Sequence, residues 1–96
     1  MGNTLNTAQA GTLESGDIML IVAPASAAGI TIELESIVFP QYGQAIMEVL
    51  QKTVEQHGLT GIYIKAIDRG ALDCTIKARV LTALARAGAV LKEELL

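Results

Sequence analysis

The sequence predicts a two-layer α/β (α+β) sandwich of order β-β-α-β-α, a small mixed sheet with two helices on one face. Three observations carry this prediction. Apolar residues fall at every second position in 30–35 and again in 61–67, the period of a strand. They recur at three- and four-residue spacing in Gln41–His57 and Ala71–Ala87, the period of an amphipathic helix. With 96 residues, 51% of them hydrophobic, the chain has room for one core and no second one.

Residues 1–10 are polar and read as a flexible lead-in to a single domain over 11–96. Ala10-Gly11-Thr12-Leu13-Glu14-Ser15-Gly16-Asp17, with two glycines around small and acidic residues, reads as a loop. Ile18–Ala23 is apolar and β-branched, is stopped by Pro24, and suits a strand covered on both faces. Ala25–Gly29 is a turn of small residues. Ile30, Ile32 and Leu34 then alternate with Thr31, Glu33 and Glu35, which marks a strand with one wet face, and the two strands are expected to pair as a hairpin. Helical spacing begins after Pro40 and closes at Gly58, a C′ glycine. Ile62, Ile64 and Ala66 share one side of a third strand, Asp68-Arg69-Gly70 turns the chain, and the second helix ends at Gly88. Residues 89–96 either extend that helix or fray from it.

Composition excludes several classes of function. The net charge is −3, and the seven basic residues are scattered from Lys52 to Lys92 with no run. Nucleic acid or an anionic membrane, which both need clustered Lys and Arg, are therefore not expected as partners. One cysteine, Cys74, allows no internal disulfide. With one histidine, His57, it cannot complete a four-ligand Cys/His zinc site, so no metal is expected. The first ten residues lack the basic-then-apolar profile of a secretion signal, and Asn6 breaks the myristoylation pattern begun by Met1-Gly2. Ile18–Ala28, the longest apolar run, is interrupted by Pro24 and Ser26 and is too short to span a bilayer. A soluble, cytoplasmic protein is expected.

Signatures of catalysis fail, and no catalytic residue is assigned. Leu13 stands where a GxSxG elbow needs glycine. Gly11–Gly16 has the glycine spacing of a phosphate-binding loop, but Asp17 replaces its lysine and would repel a nucleotide's phosphates. His57 falls at a helix end, where histidine commonly complements the last carbonyls. Glu33 and Glu35 read as a solvated strand face. Cys74 lies near the start of a helix, where a buried, inert thiol is commoner than a reactive one. The loop around Ser15 remains. A hydroxyl in Glu14-Ser15-Gly16-Asp17 with no adjacent base is a poor nucleophile, but it has the exposure a modification site needs. A serine that merely hydrogen-bonds within its turn has the same pattern.

Two separated motifs shift that balance. Ala10-Gly11-Thr12-Leu13-Glu14-Ser15-Gly16-Asp17 followed by a strand ending in Ala23-Pro24, and Asp68-Arg69-Gly70-Ala71-Leu72-Asp73-Cys74 followed by Lys77-Ala78-Arg79, closely resemble the acyl carrier proteins (gamma subunits) of citrate lyase. Gln41-Tyr42-Gly43 and Ala45-Ile46 continue the resemblance, which runs from about Ala8 to Ala87. It implies that 11–96 is an acyl carrier domain, a non-catalytic subunit of a lyase complex. It also implies that Ser15 is the covalent attachment point of 2'-(5''-phosphoribosyl)-3'-dephospho-CoA, joined through a phosphodiester. The thiol of that arm would carry acetyl and citryl groups during cleavage of citrate to acetate and oxaloacetate. The implied partners are the alpha (acyl transferase) and beta (citryl lyase) subunits and a prosthetic-group transferase. Glu14, Gly16 and Asp17 would form a recognition loop, its carboxylates on the surface and of little weight in folding. Cys74, fixed at a helix start, is not expected to carry the acyl group. The carrier of malonate decarboxylase, the carrier of a citramalate-type lyase, and a small α/β interaction module that carries nothing are the alternatives. The strand content argues against the helical bundle of the common phosphopantetheine carriers.

Overall fold

The central element is β4 (Ile62–Asp68), whose Ile62, Ile64, Ala66 and Asp68 all face inward and are fully or almost fully buried. The computed structural model describes residues 5–36 and 40–96, with α1 side chains from Tyr42 onward. In chain order the described elements are β1 (Ala8–Ala10), β2 (Ile18–Pro24), β3 (Ile30–Ser36), α1 (Pro40–Gln56), β4, α2 (Asp73–Arg86) and a 3-10 turn at Glu93–Leu95. The sheet order is β1-β2-β4-β3. β4 runs antiparallel to β2 and parallel to β3, in register from Ile18↔Asp68 to Pro24↔Ile62 and from Ile30↔Ile62 to Ser36↔Asp68.

The fold class is the expected mixed sheet with two helices, but the hairpin is not formed. β2 and β3 are separated by β4, which inserts between them after the α1 crossover. The inserted strand gives both neighbours a seven-residue ladder and lines Ile18, Leu20 and Val22 up against Asp68, Ala66 and Ile64. A direct β2–β3 pair would have left β4, the strand with the most buried side chains on its inner face, at an edge.

Both helices lie on that inner face. α1 packs over β3, α2 over β1 and β2, and the helices touch each other. Ile46, Leu50 and Val54 of α1 and Ile76, Val80, Ala83 and Leu84 of α2 meet the sheet in one core. Truncating a fully buried residue such as Leu50 to alanine costs about 2–5 kcal/mol. Thr53, buried in α1, satisfies its hydroxyl by donating to Val49 O at 2.7 Å. Each helix ends in the paired bonds of a glycine C-cap: Gly58 N to Glu55 O with Leu59 N to Val54 O, and Gly88 N to Ala85 O with Ala89 N to Leu84 O. The second cap stops α2 at Arg86, so residues 89–96 do not extend it.

Two further expectations are corrected. Part of the 1–10 lead-in is structured, since Ala8–Ala10 pair with Leu20–Val22 and Ala10 enters the core; residues 1–4 lie outside the described residues. β2 is covered on one face only, because the sheet has one helical layer and leaves Met19, Ile21 and Ala23 half-buried on the other. Glu33 and Glu35 do lie on that open face, with Glu33 opposite Lys65 across the β3–β4 ladder.

The β1–β2 connection begins at Gly11, where φ is +88° and an added Cβ would sit 1.8 Å from the Ile18 carbonyl oxygen. The obstacle is backbone and cannot swing aside. Gly11→Ala is expected to lower unfolding free energy by more than about 2 kcal/mol in urea titrations. Gly16→Ala, where a Cβ meets nothing within 4 Å, should cost only the left-handed backbone term of about 1–2 kcal/mol.

Candidate functional site

The two sequence motifs meet at one end of the sheet. Asp17 N donates to Glu14 O at 3.0 Å and closes a four-residue turn with Ser15 and Gly16 at its centre. Gly16, at φ +84°, takes the third position, where a type II turn requires positive φ. Gly16 N donates to Arg69 O at 2.7 Å and Arg69 N donates to Asp17 O at 2.9 Å. Gly16 and Asp17 thus oppose the single residue Arg69 in a β-bulge whose first residue is a left-handed glycine. The bulge lies just beyond the last ladder pair, Ile18↔Asp68, and Ser15 stands exposed at the tip of the turn.

Asp17 supports that turn from below and is buried, not a surface carboxylate. Its Oδ1 accepts from Ile18 N at 2.7 Å and Arg79 Nε at 2.9 Å. Its Oδ2 accepts from Thr12 Oγ1 at 2.7 Å, Thr12 N at 3.1 Å and Arg79 Nη2 at 3.0 Å. The forked Arg79 guanidinium holds the Asp17 carboxyl far below the usual carboxylate range, assisted by Thr12 and the Ile18 amide and opposed by burial. The same pairing raises the Arg79 pKa. A loop is thereby fastened to a helix 62 positions away.

Asp68 organises the neighbouring segment in the same manner. Its carboxylate accepts from Ser36 Oγ at 3.1 Å, Gly70 N at 3.1 Å and Ala71 N at 3.0 Å, so it holds the end of β3 and the 68–71 turn together. Beside it, Tyr42, Ala45, Ile46, Asp68, Gly70, Ala71 and Asp73 line an open cleft of about 220 Å³. Leu13 in the Ser15 loop, Leu72 after the 68–71 turn and Tyr42 on α1 are large apolar side chains left exposed.

Of the expected site residues, Glu14, Ser15 and Gly16 are exposed, and Asp17 is withdrawn beneath them. The sequence pattern assigned no role to Thr12, Arg69 or Arg79. Arg79 had one signal: it falls on the flank of the helix stripe Ile76, Val80, Ala83, where a long cation can stand at the rim of the core. His57 is buried and does not complement carbonyls; its Nδ1 accepts from Lys92 N at 2.8 Å. Cys74, in the first turn of α2, is exposed, not buried. Among the described residues no cluster of three His, Cys, Asp or Glu could hold a metal, and no helix is long and apolar enough to cross a membrane.

Ser15 is thus an exposed hydroxyl, with no hydrogen-bonded base among the described residues, on a turn braced to strand and helix. A carrier family model, described as malonate decarboxylase delta subunit (MdcD), matches residues 5–87. The chain is 51% identical over 84 residues to the citrate lyase acyl carrier protein of Streptococcus mutans serotype c, covering 88% of this chain and 82% of that one. It is 52% identical over 81 residues to that of Halothermothrix orenii, covering 84% and 85%. A crystal structure of a Thermus thermophilus protein shares the fold, with a TM-score of 0.59 at 17% identity, over 88% of this chain and 16% of the other. The chain belongs to the citrate lyase acyl carrier protein family.

The Asp17 bonds carry a pH signature. A carboxyl depressed in the folded state contributes stability above its unfolded pKa, about 3.9, and loses it as pH falls toward the folded value. Wild type should therefore lose stability steeply below about pH 5. Asp17→Asn should show a flatter acid limb and, at pH 7, a loss of roughly 1–3 kcal/mol from the weakened buried bonds. Urea midpoints from pH 3 to 7 test both; an unchanged acid limb in Asp17→Asn would remove Asp17 from this role.

Proposed function

We propose that the chain is the acyl carrier subunit of citrate lyase and that Ser15 is the attachment point of 2'-(5''-phosphoribosyl)-3'-dephospho-CoA. The observation that carries this reading is the exposure of Ser15 at the tip of a turn whose base is pinned by Asp17, Arg79 and the Arg69 bulge. The residues fit such a group. The hydroxyl is accessible, the space beside Gly16 is open, and the adjoining Arg69 keeps a buried Nε without a hydrogen-bond partner among the described residues. When bound, the group would supply a terminal thiol that carries acetyl and citryl as thioesters.

The protein's own part is to present and to dock. A tether raises the effective concentration of its cargo at every active site within reach, and its foot must neither wander nor be buried. The proposed partners are the alpha (acyl transferase) and beta (citryl lyase) subunits and the transferase that installs the group, in the cytoplasm. Leu13, Tyr42 and Leu72, exposed on segments at or beside the Ser15 end, offer apolar contacts of the kind that anchor interfaces, with Glu14 at the rim. The malonate decarboxylase carrier is the second reading, favoured by the description of the matching family model. The relatives near half identity favour citrate lyase.

Intact mass after co-expression with the citrate lyase prosthetic-group transferase tests the reading. Wild type and Cys74→Ala should gain the mass of the group, and Ser15→Ala should gain none while keeping its fold by circular dichroism. Modification that persists in folded Ser15→Ala would sink it.

A further inference from the structure

Arg69 carries an unmatched donor. Its Nε is buried and has no hydrogen-bond partner among the described residues, the one such side-chain atom there. Buried polar groups are nearly always paired, so an orphaned guanidinium nitrogen on the residue that opposes the Ser15 turn calls for an acceptor.

The neighbouring carboxylates do not supply one. Asp17, which Arg69 opposes in the bulge, already accepts five bonds, two of them from Arg79. Asp68, the preceding residue, accepts three, from Ser36, Gly70 and Ala71. The backbone of Arg69 is fully engaged with the turn through Gly16 N and Asp17 O, which fixes its Cα one residue from being opposite Ser15. The backbone of an arginine is thus built into the base of the turn, and among the described residues its side chain has no carboxylate partner. On the other side, exposed Glu14 adjoins Ser15 and would repel any anion attached there.

We propose that Arg69 is the phosphate-holding residue of the carrier: its guanidinium, which has no acceptor for Nε among the described residues in its buried position, turns outward to donate to the phosphodiester on Ser15 Oγ and fixes the first link of the arm against the bulge. This rests on the assignment of Ser15 above. A planar guanidinium matches phosphate oxygens in a way that lysine does not, and the contact would offset the Glu14 charge. The rest of the arm stays free, so Arg69 is a positioning residue with no part in acyl chemistry.

The test uses the full-length chain with and without its prosthetic group, the state being verified by intact mass. Exchange of the Arg69 Nε proton with solvent is followed in ¹H–¹⁵N spectra of wild type. Modification should slow that exchange about tenfold or more and move the resonance, as a charge-assisted bond forms. It should also raise the melting temperature. Arg69→Gln should lose that rise and Arg69→Lys should keep part of it. Since the exchange is read in wild type, the outcome does not depend on either variant folding. A chain modified at Ser15 whose Arg69 Nε proton is unchanged overturns the proposal while leaving the attachment site standing. A chain that gains no mass overturns both.

Discussion

The Asp17 carboxylate is the constraint on which the Ser15 end of the molecule depends. Burying a carboxylate is costly unless its lone pairs are filled, and here five donors fill them. Those donors come from three places: the start of the loop at Thr12, the first residue of β2 at Ile18, and the middle of α2 at Arg79. One side chain therefore closes the loop on itself, sets where β2 begins, and fastens both to the helix behind them. Screening limits what the ion pair alone contributes, because the Arg79 side chain is 41% exposed. Of the five bonds only that from Ile18 N is buried, and the Thr12 and Arg79 bonds are part-buried.

That anchor lets a loop be both exposed and stiff. The turn holding Ser15 has bonds on each side of it, from Asp17 N to Glu14 O and from Gly16 N to Arg69 O, and then the carboxylate cage beneath. The serine is two bonded positions from the core yet in solvent. Asp68 repeats the device one strand over, so that each of the two family motifs is organised by its own buried aspartate, and the bulge at Arg69 joins them. The motifs, far apart in sequence, meet because they lie on antiparallel strands whose ends pair at Ile18↔Asp68.

Much of this was legible in the residues, and what was not has a physical reason. Periods of two and of three to four placed β3, β4, α1 and α2 within a residue or two, because burial on one face imposes those periods, and an apolar run stopped by Pro24 placed β2. Strand order left no such mark: the outer and inner sets of β2 and β3 would look the same whether β4 lay between them or beside them. Short β1 was hidden because three residues, Ala8-Gln9-Ala10, are too few to show a period, and their strand character comes from pairing with β2. Asp17 was misread for a related reason. A carboxylate among small polar residues has the signature of a surface loop, and its burial is decided by an arginine 62 positions on. The motif that contains Arg79 was visible; the contact was not. Cys74 erred in the opposite sense, since residue type favours burial while its place in the first turn of α2 leaves it in solvent.

Gly16 shows how tightly the local backbone is specified. The turn requires positive φ at its third position, and the bulge requires a left-handed residue at its first; one residue fills both roles. The space around it is empty, so no packing argument selects glycine there. At Gly11, five positions earlier, the opposite holds, for the Ile18 carbonyl leaves no room for a Cβ at all. The loop thus uses one glycine for contact and the other for conformation. Between them the chain is held at its base by close packing and at its tip by backbone hydrogen bonds together with a dihedral preference. A large group attached at the tip would meet no wall there, while the strands and helix below would not need to move.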